Sequence, residues 1–237
     1  MKPSKEIGLP EAQQLLSECV LFRGFRPAER AEIVSRTQIC NYKAGETVFT
    51  IGSPGNNMMA VLNGTVRISV PSRDGRELML AILQPGEVFG EIAVLDGKER
   101  TADAAADTAC TLAVLDRRDI LNFLEQHPTA WLQLVAVLCD RLRRADQLLA
   151  DVALLQLPAR LAKTMLRLIE HDAQSKSAAK SATIRFSQRE LANMLGGTRE
   201  SVNKCLAGWQ RRRIVEMKEG RITILDKDAL ETISGSD

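Results

Sequence analysis

Turn signals crowd the first half of this chain: Gly45, Gly52 to Gly55, Asn63-Gly64, Asp74-Gly75, Pro85-Gly86 and Asp96-Gly97. Asn-Gly and Asp-Gly supply the positive φ values of tight hairpin turns. Between the signals lie short apolar stretches that read as strands, among them Thr65 to Val70 and Leu78 to Leu83. Many short strands at this spacing predict a small barrel or double-sheet roll over roughly 20–125.

The pattern changes at Pro128, a residue suited to a first helical turn. One long helix is predicted over about 128–153. Trp131, Leu138, Ala145 and Val152 recur every seven residues, and Val135, Leu142 and Leu149 recur every seven with an offset of four. This a/d seam is narrow and flanked by Arg141, Arg143, Arg144 and Asp146, which points to a two-stranded coiled coil and hence a homodimer. An amphipathic helix packed on its own domain is the alternative.

After Leu154-Leu155-Gln156-Leu157-Pro158, Arg160 to His171 reads as a helix and Ala173 to Ser181 as a polar loop. Ser187-Gln188-Arg189-Glu190 then forms a capping box that starts a helix with Leu191, Met194 and Leu195 on one face. Gly196-Gly197 ends it, and Thr198 is a good N-cap for a second helix. Val202, Cys205, Leu206 and Trp209 form the inward face of that helix, so Glu200, Asn203, Lys204 and Arg211 project outward, with Arg199 on the flank. Two short strands, Ile214 to Lys218 and Arg221 to Leu225, meet at Glu219-Gly220 and read as a wing. A short helix, a glycine turn and a second helix with long polar side chains outward is the layout of a DNA-reading helix-turn-helix. The DNA-facing set is Ser187, Gln188, Thr198, Arg199, Glu200, Asn203, Lys204, Arg211 and Arg212. Arg and Lys are the usual partners of guanine and Glu accepts from cytosine N4, whereas Arg211 to Arg213 suit phosphate contacts.

Composition and charge agree. At 237 residues, with 45% hydrophobic and 26% charged, the chain is neither disordered, collagenous nor a small disulfide scaffold. No apolar run approaches the ~18 residues of a membrane span, and Met1 to Leu16 shows no apolar signal-peptide core. The five cysteines are scattered without a Cys-x-x-Cys pair, so no metal site or disulfide framework is expected, and a reducing cytoplasm is the simplest setting. Residues 1–154 carry a net charge of −3 and residues 155–237 one of +5, a distribution that favours nucleic-acid contact by the C-terminal part.

One further cluster carries chemistry. Phe89-Gly90-Glu91-Ile92-Ala93, Asp96-Gly97 and Arg100-Thr101-Ala102 bring a carboxylate, a guanidinium and a hydroxyl into a tightly turned segment. A helix starting at Glu91 would offer backbone N–H groups to an anion, and Arg100 would pair a phosphate. An internal Glu91–Arg100 ion pair is the plainer alternative.

Phe89 to Ala102 resembles the phosphate-binding cassette of cyclic-nucleotide-binding domains. With the long helix and the Gly197 to Lys204 segment, Gly-Thr-Arg-Glu-Ser-Val-Asn-Lys, the chain is similar to the Crp/Fnr family of bacterial transcription regulators over about residues 18–230. The resemblance implies an α+β fold: an N-terminal β-roll (a double-stranded jelly-roll cyclic-nucleotide-binding domain, 18–126), a long central dimerisation helix (127–154) and a C-terminal winged helix-turn-helix (155–232). It also implies a cytoplasmic homodimer on near-palindromic double-stranded promoter DNA, in contact with RNA polymerase. In cyclic-nucleotide-binding members the cassette Glu holds the ribose, and the Arg and the following hydroxyl hold the cyclic phosphate. Those roles pass to Glu91, Arg100 and Thr101, with Gly90, Ile92 and Ala93 lining the cassette and Arg141 matching a central-helix Arg. The Thr-Ser pair that reads adenine in cAMP-binding members is replaced by Ala145-Asp146. A carboxylate at Asp146 can accept from guanine's two adjacent donors, so the effector is expected to be cAMP or cGMP. A cyclic dinucleotide, a redox change at Cys139 or Cys205, or no effector are the alternatives. An enzyme is not expected, since no nucleophile–base or metal set is present; a regulatory subunit of an enzyme is the remote alternative.

Overall fold

The protein is described here by a computed structural model covering residues 14–16, 19, 21–22, 25–72, 77–175, 183–184, 186–218 and 220–235, with the backbone alone for 170–175 and 183. The Asp74-Gly75 turn, the 176–181 part of the polar stretch and Glu219 of the wing turn lie outside these residues. The chain divides into two units, one running to Pro71 and over Leu80–Arg143, the other holding 72, 77–79 and the described residues from Arg144 onward.

The first unit contains helix α1 (Pro27–Ser35), strands β1 (Gln38–Tyr42), β2 (Thr47–Phe49), β3 (Asn57–Asn63) and β4 (Val66–Pro71), the 80–83 part of β5 (Glu77–Leu83), and β6 (Val88–Phe89). A short helix α2 (Glu91–Asp96), strands β7 (Asp103–Ala106) and β8 (Cys110–Asp116), helix α3 (Arg117–Gln126) and the first part of the long helix α4 (Pro128–Leu154) follow. The strands form two four-stranded sheets, ordered β1-β8-β3-β6 and β2-β7-β4-β5. The assigned pairings are antiparallel. This is the expected double-sheet roll.

Strand β3 shows why the strands read as apolar runs rather than clean alternations. Met58, Ala60 and Leu62 face a core shared with Ile33, Phe123, Leu134 and Val137 of the helices. Met59 and Val61 face the other way, into a core between the sheets with Val66, Phe89, Ala104 and Leu112. With both faces covered, both sets of alternate residues are apolar.

Helix α4 buries Ala130, Leu134 and Val137 against the first unit. Trp131, Val135, Leu142, Leu149 and Val152 of the heptad seam are exposed, as is Ala145, while Leu138 is half-buried. The helix therefore has two apolar stripes, one of them turned to its own domain and the other to solvent.

The second unit contains helix α5 (Leu157–Ser175), β9 (Thr183–Ile184), α6 (Gln188–Leu195), α7 (Arg199–Arg211), β10 (Val215–Lys218), β11 (Arg221–Ile224) and α8 (Lys227–Ser234). Helix α5 runs beyond the His171 expected from the sequence and takes in 173–175, the first part of the predicted polar loop. Ala is the best helix former and Gln a good one, so polarity alone did not end the helix there. A three-stranded sheet ordered β10-β11-β9 backs the helices, around a core of Leu161, Met165, Leu191, Leu206, Trp209 and Ile222.

Candidate functional site

The cassette begins where β6 ends. Gly90 has φ +80°, and a Cβ there would lie 2.6 Å from Arg100 Nη1 and 3.3 Å from the Asn57 carbonyl, so a side chain is excluded on both conformational and steric grounds. This turn starts α2 with Glu91 as its first residue. Glu91 is 0% exposed. One of its carboxylate oxygens, Oε1, accepts from Arg141 Nη1, and Arg141 Nη2 donates to the Val88 carbonyl. Its other oxygen, Oε2, is buried and meets no partner among the described residues.

Arg100 is 4% exposed and forms no ion pair among the described residues. Nη1 donates to the Gly90 carbonyl at 2.9 Å, and Nη2 to the Asn57 carbonyl at 2.7 Å and to Asn57 Oδ1 at 2.6 Å. Cζ stands 4.2 Å from the centre of the Phe49 ring, a cation–π contact. Nε is buried and meets no partner among the described residues. Burial pushes the guanidinium below its ordinary pKa, and the charge of Glu91 opposes that shift. The direct Glu91–Arg100 ion pair does not form: Glu91 turns to Arg141 of α4, and Arg100 turns to carbonyl oxygens.

The other cassette residues are placed as follows. Thr101 is exposed, Ile92 is 42% exposed and Ala93 is buried. Asp146 is exposed, on the part of α4 that belongs to the second unit. Asn57 and Phe49 were missed in the sequence. Neither stands in a motif, and each reaches Arg100 only because β2 and β3 fold beside it.

In the second unit the capping box is present. Ser187 Oγ accepts from the Glu190 amide at 3.2 Å, and the Ser187 amide donates to Glu190 Oε2 at 2.6 Å. Helix α6 ends at Gly196 with φ +62°, and α7 starts from Thr198, whose Oγ1 accepts from the Ser201 amide at 3.2 Å. Val202, Leu206 and Trp209 are buried, and Cys205 is half-buried. Arg199, Glu200, Asn203, Lys204, Arg211 and Arg212 are all exposed. The Gln188 side chain lies against the wing, its amide 3.8 Å from Met217 Sδ. A cleft of about 370 Å³ runs between the start of α6, the start of α7 and the wing; Ser187, Gln188, Arg189, Arg199, Lys218 and Arg221 are among its lining residues. Arg189, Lys218 and Arg221 were outside the sequence-derived set, although their place in the capping box and the wing strands was already legible.

Among the described residues, no group of three or more His, Cys, Asp or Glu side chains is arranged to hold a metal ion, and no helix is long and apolar enough to cross a membrane.

Known proteins share this organisation. Residues 39–127 match the cyclic nucleotide-binding domain and residues 159–233 the Crp-like helix-turn-helix domain. The CRP-like cAMP-activated global transcriptional regulator of Mycobacterium tuberculosis is 31% identical over 92% of this chain and 97% of its own length. The cyclic AMP receptor protein of Thermus thermophilus is 31% identical over 90% of this chain and 96% of its own. The solved structure of the c-di-GMP responsive global regulator CLP of Xanthomonas campestris aligns over 84% of this chain and 99% of its own with a TM-score of 0.76; at 21% identity it speaks to the fold alone. Two family domains in this order, and a relative similar along nearly the whole length, place the chain in the Crp/Fnr family of DNA-binding transcription regulators, which are not enzymes.

Proposed function

We propose that this chain is a homodimeric regulator that reads a near-palindromic site in double-stranded promoter DNA under the control of a cyclic mononucleotide, working in the cytoplasm with RNA polymerase. The three parts of the reading are a sensor over 18–126, a dimerisation helix over 127–154 and a DNA-binding part over 155–232.

The observation that carries the effector is the pair of unsatisfied groups in the cassette. Among the described residues the buried Arg100 guanidinium has no counter-ion and the buried Glu91 Oε2 no donor, and both are costly. A 3′,5′-cyclic nucleotide carries one anionic phosphate and one free ribose hydroxyl, the two groups that would satisfy them. In this reading Arg100 meets the phosphate, aided by the exposed Thr101 hydroxyl, and Glu91 Oε2 accepts from the ribose hydroxyl. Gly90, Ile92 and Ala93 shape the wall, and Arg141 ties the cassette to α4. Two relatives carry cAMP in their names, which supports cAMP; Asp146, offering only acceptors when ionised, supports cGMP. The redox alternative gains no support at Cys205, whose thiol is pushed up by burial against the pull of Lys204, leaving little reactive thiolate.

The exposed seam of α4 supports the dimer, and the outward set on α7 supports base reading by Arg199, Glu200, Asn203 and Lys204. Calorimetric titration of the full chain with cAMP and cGMP tests the effector. Heat with either nucleotide whose affinity falls at least about tenfold in Arg100→Ala supports the reading; no heat with either at millimolar concentration overturns it.

A further inference from the structure

The geometry points to Asn57 as a positioning residue that holds Arg100 in place without neutralising it. This rests on the reading of the cassette as an anion site. Three hydrogen bonds hold the guanidinium, and two of them end on Asn57: one on its carbonyl at 2.7 Å and one on its side-chain Oδ1 at 2.6 Å. The third ends on the Gly90 carbonyl at 2.9 Å. The Phe49 ring, 4.2 Å from Cζ, covers one face of the group.

Asn57 is itself fixed from both sides. It opens β3, paired with Asp116 of β8, and the carbonyl of the preceding Asn56 accepts from the Arg117 amide at 2.8 Å. A long, rotamer-rich Arg side chain would lose much of its freedom on binding a phosphate. Here that freedom is already lost, because its two terminal nitrogens are pinned by oxygens belonging to a strand and a tight turn.

The chemistry of the amide matters as much as its position. Every oxygen on Arg100 is a neutral carbonyl. Each orients an N–H by its dipole but leaves the formal charge uncancelled, and Nε has no partner among the described residues. An aspartate at 57 would supply the same acceptor in nearly the same place and add a negative charge. It would hold the guanidinium more firmly, as a charge-assisted pair, while repelling an incoming anion. Asn at this position thus separates two properties that a carboxylate would merge: orientation of the cation and its neutralisation.

Two substitutions test this in the full-length protein. Asn57→Asp is expected to raise the melting temperature of the ligand-free protein by about 2–4 °C and to weaken cAMP or cGMP binding at least tenfold. Asn57→Ala is expected to lower both. A residue with a purely structural role would move stability and affinity in the same direction in both variants, so the opposed response of Asn57→Asp is diagnostic. The Asn57→Asp gain in stability should vanish in an Arg100→Ala background. Undiminished nucleotide affinity in Asn57→Asp, or an equal melting shift with and without Arg100, overturns the assignment. If the wild type binds neither nucleotide, the effector reading has failed; the ligand-free melts with and without Arg100 then still decide whether Asn57 acts through Arg100.

Discussion

Asp151, near the end of α4, ties the last turns of that helix to α5 within the second unit. It is 5% exposed. Its Oδ1 accepts from Lys163 Nζ at 2.7 Å and from Gln147 Nε2 at 2.9 Å, and its Oδ2 accepts from Arg167 Nη2 at 2.6 Å. Lys163 and Arg167 are four residues apart on one face of α5, so a single carboxylate clamps successive turns of the next helix. Asp151→Asn removes the charge and keeps the volume. Breaking a fully buried pair costs about 3–5 kcal/mol. Here the Lys163 and Arg167 side chains retain 28% and 44% exposure and can return to water. The expected loss is therefore about 1–2 kcal/mol, or a fall in Tm of roughly 2–8 °C. The pH dependence adds a second constraint. Burial pushes the Asp151 carboxyl up, but hydrogen bonds from Lys163 and Gln147 and the charges of Lys163 and Arg167 outweigh it, and the group ends below its ordinary value. A carboxyl lowered on folding contributes stability above its unfolded value of about 3.9 and loses it as pH falls through the folded value. The gap between wild type and Asp151→Asn should be constant near neutrality and close as pH falls below about 4. Circular-dichroism melts across that range measure it. Equal melting temperatures at pH 7, or a gap that stays open in acid, would show that the clamp contributes nothing through its charge.

Leu142→Glu should dissociate the dimer by placing a charge in the seam, at a cost of several kcal/mol; sedimentation showing an intact dimer would locate the interface elsewhere. Arg100→Ala should weaken cyclic-nucleotide binding about 10–150-fold, the equivalent of one charge-assisted contact of roughly 1.5–3 kcal/mol, read by calorimetry. Glu200→Ala should relax discrimination at one base pair by ~1–3 kcal/mol without loss of non-specific affinity, because a carboxylate on a basic face repels phosphate and can be retained for a base contact. Arg212→Ala should weaken all sequences alike and flatten the salt dependence by about one unit of slope. Binding-site selection on the last two variants separates a base reader from a phosphate contact, and an unchanged motif for Glu200→Ala would assign that residue to the helix terminus instead.

The features legible in the sequence were those specified within a few residues. The Ser187–Glu190 box, the break at Gly196 and the Thr198 cap each act over one helical turn, and all are found as read. The turn glycines likewise mark the ends of the β-roll strands. What the sequence hid was the choice among long-range partners. Glu91 had Arg100 nearby in sequence and took Arg141, fifty positions on, because α4 runs past the cassette. Arg100 took Asn57, whose strand lies beside it only once β3 has paired with β8. Strand β9 has two residues, too few to show any period, and exists because β11 offers an edge at Ile222 and Thr223.

Glu91 links the cassette to the long helix α4. Its carboxylate has two oxygens in different circumstances, one engaged by Arg141 and one that meets no donor among the described residues. Arg141 also holds the Val88 carbonyl, at the strand end that leads into the Gly90 turn. The cassette and α4 are thus joined through one side chain whose counter-charge is the same group proposed to meet the ribose. A donor arriving at Oε2 draws on the carboxylate charge that Arg141 shares, and a phosphate arriving at Arg100 adds a negative charge beside both. An effector can shift a conformational equilibrium only as far as it binds one arrangement better than the other. In the proposed reading that difference has a structural origin: the Glu91–Arg141 contact joins the cassette to α4, so a nucleotide that strengthens or loosens it would act on the helix whose exposed seam is proposed to form the dimer.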